Sequence, residues 1–233
     1  MLTVAEWEAV RLTLLVASVA VIGSLPLGVF AGWLLARRSF PGKFLLDAAI
    51  NLPLVLPPVV TGYLLLVTFG RHGLLGGALE NMLGLRFVFD WKGAALASAV
   101  VGFPLLVRPI RLAFAAVDER LVQAARSLGA GPVDAFWTIL LPLARPGILS
   151  GCVLAFARSM GEFGATIMIA GNIPGRTRTI PLLIYSELDA PGGMEASLRL
   201  VIVSVVIAAA ALLVGEFLDR LGRRRLTAAS PPA

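Results

Sequence analysis

Two ionisable residues stand four apart in an otherwise apolar run, Arg158 and Glu162 of ARSMGEFGAT. At that spacing they share one face of a helix. Ionisable groups at bilayer depth are costly, and are paired or face a cavity. Two chemistries fit. The pair could fix helix packing, within one chain or across a dimer, or it could line the path of an anion, with Arg158 offsetting the anion's charge. Gly161 and Gly164 flank the pair, and would allow close helix approach or a gate bend. A second set, Asn172, Thr177, Arg178 and Thr179, lies in NIPGRTRTIP. Its hydroxyls and guanidinium could donate to an oxyanion, or the run could form a docking surface. Asp47 and Asn51 could line an inner gate or cap the helix that follows Pro41-Gly42.

Other chemistries lack their residues. His72 is the one histidine and Cys152 the one cysteine, which leaves no disulfide, no thiolate cluster and no His-based metal site. An intramembrane hydrolase needs a nucleophile beside a base. Here Asp47 sits near a span edge, and Glu162 is matched to an arginine. No G-x-x-x-x-G-K-[ST] phosphate loop occurs, so no such nucleotide site is expected on this chain.

The elements that hold these residues are hydrophobic. Of 233 residues, 58% are hydrophobic and 15% charged, and the mean hydropathy is +0.89. So little polar surface cannot cover a water-facing globule, and lipid is the matching solvent. Runs long enough to span occur at about 12–35, 44–69, 92–117, 146–169 and 198–217. The first is too long for a signal-peptide core. Pro53, Pro57 and Pro58 must kink or break the second. Leu74–Phe89 is too short and too charged to span, and is predicted to be an external or interfacial helix. A disordered tail is expected from about 222 to 233.

Five spans place the termini on opposite sides. Segments 37–43, 108–145 and 220–225 hold twelve Lys and Arg, against seven on the other side. The positive-inside rule then predicts an external N-terminus and a cytoplasmic C-terminus. The net charge of +6 is thus a topology signal. No basic stripe interleaved with aromatics suggests nucleic acid.

The cytoplasmic stretch QAARSLGAGPVDAFWTILLP, within 118–142, is too polar to span. Leu121, Ala124, Ala125 and Leu128 mark one face of a helix over Arg120–Leu128. Gly129 suits a left-handed C′ position, and Pro132 suits the first turn of a second helix. Val133, Phe136, Trp137 and Leu140 mark that helix's apolar face, and Pro142 is expected to stop it. The two apolar faces form the back of the unit, with Phe136 and Trp137 anchoring it to the span ends.

The spacing resembles the cytoplasmic signature of ABC-importer permeases, E-A-A, three residues, Gly, nine residues, Ile, one residue, Leu-Pro. Gln123-Ala124-Ala125, Gly129, Ile139 and Leu141-Pro142 match six of its seven positions, with Gln123 in place of Glu. LARRSFPGK, LPLVLPPVVTGYLLLVTFG, ARSMGEFGAT and NIPGRTRTIP look like the molybdate-importer permeases; sulfate and tungstate permeases share the layout. The resemblance implies an all-α polytopic membrane protein of MetI-like permease fold, with about five transmembrane helices and a cytoplasmic coupling helix. It also implies a bacterial inner-membrane location, a second copy of the chain, two ATPase subunits that carry the ATP and Mg, and a periplasmic molybdate-binding protein. No cofactor is implied on this chain. The loop would dock on the ATPase, with Arg120 and Arg126 pairing to acidic groups on its rim. Glu119, one turn before Gln123, could supply the missing acid.

Overall fold

A computed structural model describes residues 2–71, 73–188, 190 and 193–228; for Leu83 and 218–228 it describes the backbone alone. His72 lies outside the described residues. Among the described residues eleven α-helices follow in chain order: α1 (Val4–Arg37), α2 (Lys43–Val55), α3 (Pro58–Phe69), α4 (Gly76–Leu83), α5 (Trp91–Ala116), α6 (Glu119–Ser127), α7 (Pro132–Ala135), α8 (Leu141–Met160), α9 (Gly164–Ala170), α10 (Ile180–Leu188) and α11 (Gly193–Ala228). A π-helical turn, Phe136–Leu140, joins α7 to α8. Among the described residues there is no strand.

Helix α1 starts at a capping box. Glu6 N donates to Thr3 Oγ1, and Thr3 N donates to the Glu6 carboxylate, which satisfies two orphan groups at once. Its middle packs along α5 through small residues. The α-hydrogens of Gly28 and Gly32 face Leu106 and Ile110; a Cβ at Gly32 would sit 2.6 Å from Ile110 Cγ2. Lower down, Val16 joins Ala94, Ala97 and Val101 in one cluster. Low numbers therefore meet low numbers, and α1 and α5 run parallel. Helix α8 returns antiparallel, with Gly151 against the Leu106 carbonyl and Gly147 against Ala113 and Pro109. Such close backbone approach drives helix association where lipid supplies no hydrophobic effect between helices. Leu200 of α11 packs with Ala9 and Val10 of α1, while Gly215 meets Val153 of α8, so α11 runs with α1.

Four helical stretches are long and apolar enough to cross a membrane: 4–37, 91–116, 132–160 and 193–217. The α2–α3 pair, bent by 114°, is a fifth candidate. Residue 217 thus lies at the opposite end of the bundle from residue 4. One end, called the loop end below, gathers the start of α1, residues 73–90 and residues 171–179. The other, the basic end, gathers Arg37–Lys43 and residues 117–140.

One expectation holds and three change. The second span is two helices, broken at Leu56-Pro57, because Pro57 cannot donate a helical hydrogen bond and Pro58 opens α3. The expected span over 146–169 is interrupted at 161–163, between α8 and α9. The segment Leu74–Phe89 is helical only over α4; Gly84 ends it with φ +64. The tail expected to be disordered from 222 remains helical to Ala228, and 229–233 lie outside the described residues.

Candidate functional site

The stretch between α5 and α8 forms a helix, a left-handed turn and a second helix. Asp118 caps α6 by accepting from Arg120 N at 2.9 Å. The helix ends at Leu128, and Gly129 takes φ +97, which residues with a Cβ rarely adopt. Pro132 opens α7, where its missing N–H is no loss.

The side chains distribute differently from the expectation. Leu121 is 49% exposed and Leu128 90%; Ala124 is exposed as well. It is Val122 that packs toward the bundle. In the second helix Val133 and Trp137 are exposed, 70% and 62%, whereas Ala135 and Leu140 are buried. Phe136 does anchor the unit: its ring lies 5.9 Å from Trp33 and 6.0 Å from Phe114. Trp137 touches Phe136 edge-on at 5.6 Å and otherwise faces outward. The stripe expected to form the back of the unit is thus largely its outer face. Leu121, Leu128, Val133 and Trp137 present apolar surface outside the main bundle, the mark of an interaction site.

Pro142 does not stop the second helix. Leu141 N donates to Phe136 O, five residues back, and this wider π turn carries the chain into α8 through the proline. The second half of the signature therefore sits in the root of a long helix: Ile139, Leu141 and Pro142 are half-buried, while Gln123 is exposed at the tip. α7 is thereby continuous with α8.

Arg158 and Glu162 are brought together at 2.8 Å, but not along a continuous helix. Arg158 lies in the last turn of α8. Glu162 lies in the break, and its Oε1 accepts from Ala165 N at 2.9 Å. One buried carboxylate thus holds the end of α8 to the start of α9, and complements the α9 dipole. Gly164 abuts Pro58 and Val59, with room for no Cβ closer than 2.9 Å to Pro58 Cβ. Gly62 meets Ala165 in the same way, at 2.7 Å. The two helix breaks therefore pack on each other. Gly161, by contrast, has only the Arg158 carbonyl nearby, at 4.0 Å, and takes no part in that packing.

In the outer run, Thr177 is buried; its Oγ1 accepts from Ile173 N at 2.9 Å and donates to Gly171 O. Thr179 is buried too. Arg178 Nε donates to Asn172 Oδ1 at 2.8 Å, and Asn172 Nδ2 donates to Ser186 Oγ at 2.7 Å. These side chains shape their own turn. The residue of the run that reaches outward is Arg176, paired with Asp90 at 3.4 Å.

The chain matches the family model described as "Binding-protein-dependent transport system inner membrane component" over residues 24–226. The chain belongs to that family. It is the membrane component of a transporter that works with a separate binding protein. It is similar to the molybdenum transport system permease protein ModB of Escherichia coli K12, 57% identical over 96% of this chain and 98% of that one. The Haemophilus influenzae ModB is 51% identical over 95% and 96%. The sulfate transport system permease protein CysT of Salmonella typhimurium is 36% identical over 93% of this chain and 78% of its own. Among solved structures, the MetNI methionine ABC transporter aligns over 94% of each chain with TM-score 0.67 at 16% identity. An alginate-importing bacterial ABC transporter aligns over 96% of this chain and 80% of its own, with TM-score 0.69 at 16% identity. Both share the fold.

Sequence reasoning missed one network of this permease. Asp47 and Asn51 neither cap α2, whose N-cap is Gly42, nor stand alone. Arg111 pairs with Asp47 at 2.9 Å, and Arg108 Nε donates to Asn51 Oδ1 at 2.9 Å. The i, i+4 spacing of Asp47 and Asn51, matched by Arg108 and Arg111 at i, i+3, was the available signal. It ties α2 to α5 above the basic end.

Proposed function

We propose that this chain is the permease subunit of an ATP-driven importer of molybdate. Two copies form the pathway between them, two ATPase subunits carry the ATP and Mg, and a molybdate-binding protein delivers the anion from outside. No cofactor is bound by the permease itself. The observation that carries the reading is the 57% identity to a molybdenum permease across nearly the whole of both chains. It is supported by the outward apolar face of α6 and α7, which suits a partner subunit. The basic excess at that end suits the cytoplasm, which leaves the N-terminus and residues 171–179 outside.

Transport is by alternating access. ATP draws the two ATPase subunits together, and each carries an α6–α7 unit inward. Because α7 continues into α8, the motion reaches the α8–α9 joint and the break between α2 and α3 that packs on it. These discontinuous helices are where the pathway opens and closes.

Uptake of radiolabelled molybdate by cells carrying the complete transporter tests this. Excess unlabelled molybdate should abolish uptake and excess sulfate should leave most of it. Sulfate competing as well as molybdate would move the assignment to sulfate, whose permeases share the layout. Gly129→Asp should stop uptake, since the turn needs a positive φ and the tip enters a close cleft.

A further inference from the structure

A cleft of about 440 Å³ lies behind the α6–α7 unit, between it and the end of α1. Phe30, Trp33, Val133 and Phe136 supply apolar walls, and Arg37, Arg38 and Arg126 supply charge, against the single carboxylate of Glu119. Arg126 therefore borders this cleft, and Glu119 stands on the same wall. Among the described residues none of the three guanidiniums has a carboxylate partner. Arg37 donates one Nη2 to the Val117 carbonyl, and its buried Nε has no hydrogen-bond partner. Arg38 lies over the Trp33 ring, 5.5 Å from its centroid. Buried donors without acceptors are costly, and three like charges around one cleft repel unless an anion is present.

The apolar walls continue along the outside of α1. Leu27 is 65% exposed and Phe30 56%, both within the membrane-spanning part of the helix. Trp33 and Arg37–Arg38 then mark the level where the hydrocarbon ends, as aromatic and basic residues do at the interface. A ligand that fits must join a negative head to an apolar tail at that level. We propose that the cleft is a site for an anionic phospholipid, with its phosphate on Arg37, Arg38 and Arg126 and the start of an acyl chain against Phe30 and Trp33. Basic pockets beside spanning helices hold anionic headgroups by the same combination of charge and interfacial position. The lipid braces α6 against α1. This inference rests on membership of the membrane family, not on the identity of the cargo or the direction of transport.

The test is lipid retention by the full chain in its transporter complex, purified from nanodiscs of phosphatidylglycerol or phosphatidylcholine and read by native mass spectrometry. Phosphatidylglycerol should remain bound and phosphatidylcholine should not. Arg38→Ala and Arg126→Ala should each lower retention about fivefold. Arg38→Lys should keep most of it, and Arg86→Ala, at the loop end and 70% exposed, should leave retention unchanged. A size-exclusion profile unchanged in every variant separates these losses from misfolding. Equal retention of the two lipids would overturn the proposal, as would equal loss in Arg86→Ala. Inorganic phosphate that displaced the bound phosphatidylglycerol from the complex would also overturn it, by making the site one for a small free anion.

Discussion

The loop end and the basic end of this permease manage their charged groups in different ways. At the loop end three carboxylates are matched to arginines inside the chain. Glu6 accepts from Arg199 at 3.1 Å, Asp90 meets Arg176, and Glu80 meets Arg86 at 2.8 Å. Its threonines are turned inward, Thr177 and Thr179 both buried. At the basic end, Leu121, Leu128, Val133 and Trp137 face out, and Arg37, Arg38 and Arg126 lack carboxylates. One end pairs these carboxylates within the chain. The other is unfinished without something docked on it. A surface that meets its partner transiently must be stable between meetings; one that holds a partner permanently can leave its own groups unsatisfied until assembly.

That contrast makes predictions of graded size. The largest loss of stability is expected between the two ends, at the joint that both depend on. Glu162→Ala removes the acceptor for Ala165 N and the partner of Arg158, and should cost about 3 kcal/mol, read as a lower midpoint of thermal unfolding in detergent. If the midpoint held, the joint would not be what unites α8 and α9. A smaller loss is expected at the loop end. Glu6→Ala frees Arg199 and breaks the capping box, and should lower the midpoint by less than Glu162→Ala while leaving the ATPase bound. Thr177→Val, which deletes the hydrogen bond to Ile173 N, should cost about 1 kcal/mol. If either variant instead shed the ATPase and kept its midpoint, the division between the ends would fail. At the basic end, Trp137→Ala should alter stability by no more than about 0.5 kcal/mol, because little of its ring is buried. The smallest effect belongs to Gln123→Glu, which restores the acid of the family signature on an exposed tip. Its uptake of molybdate should stay near that of the parent; a severe loss would show that this loop couples differently from its relatives.

Much of this arrangement was legible from residue pattern. Hydropathy marked the five apolar runs, and turn chemistry located α6 to within a residue at each end, because Gly129 and Pro132 act locally. What pattern could not give was direction. The stripe Leu121, Ala124, Ala125 and Leu128 obeys the helical period, and periodicity says only that one face is apolar. It does not say whether that face meets its own core or another subunit. Pro142 misled for a related reason: a proline ends a helix unless the turn before it widens, and the π turn at Phe136–Leu140 depends on how Phe136 is held by Trp33 and Phe114. The prolines at 53, 57 and 58 signalled a break in the second span, but the 114° bend is set by α9 packing on α3. The break at 161–163 had only Gly161 and Gly164 to announce it. Its cause is Glu162, whose carboxylate starts a new helix and whose role is visible only with Ala165 N beside it.

The central claim is that the outward apolar face of the α6–α7 unit is where the ATPase subunit is held. Co-purification of the ATPase with tagged permease carrying Leu121→Asp and Leu128→Asp tests it most directly. Both side chains are exposed, so the variant should reach the membrane and keep its unfolding midpoint, yet lose nearly all bound ATPase. Retention of the ATPase at the parent's level, with the variant folded, would contradict the account.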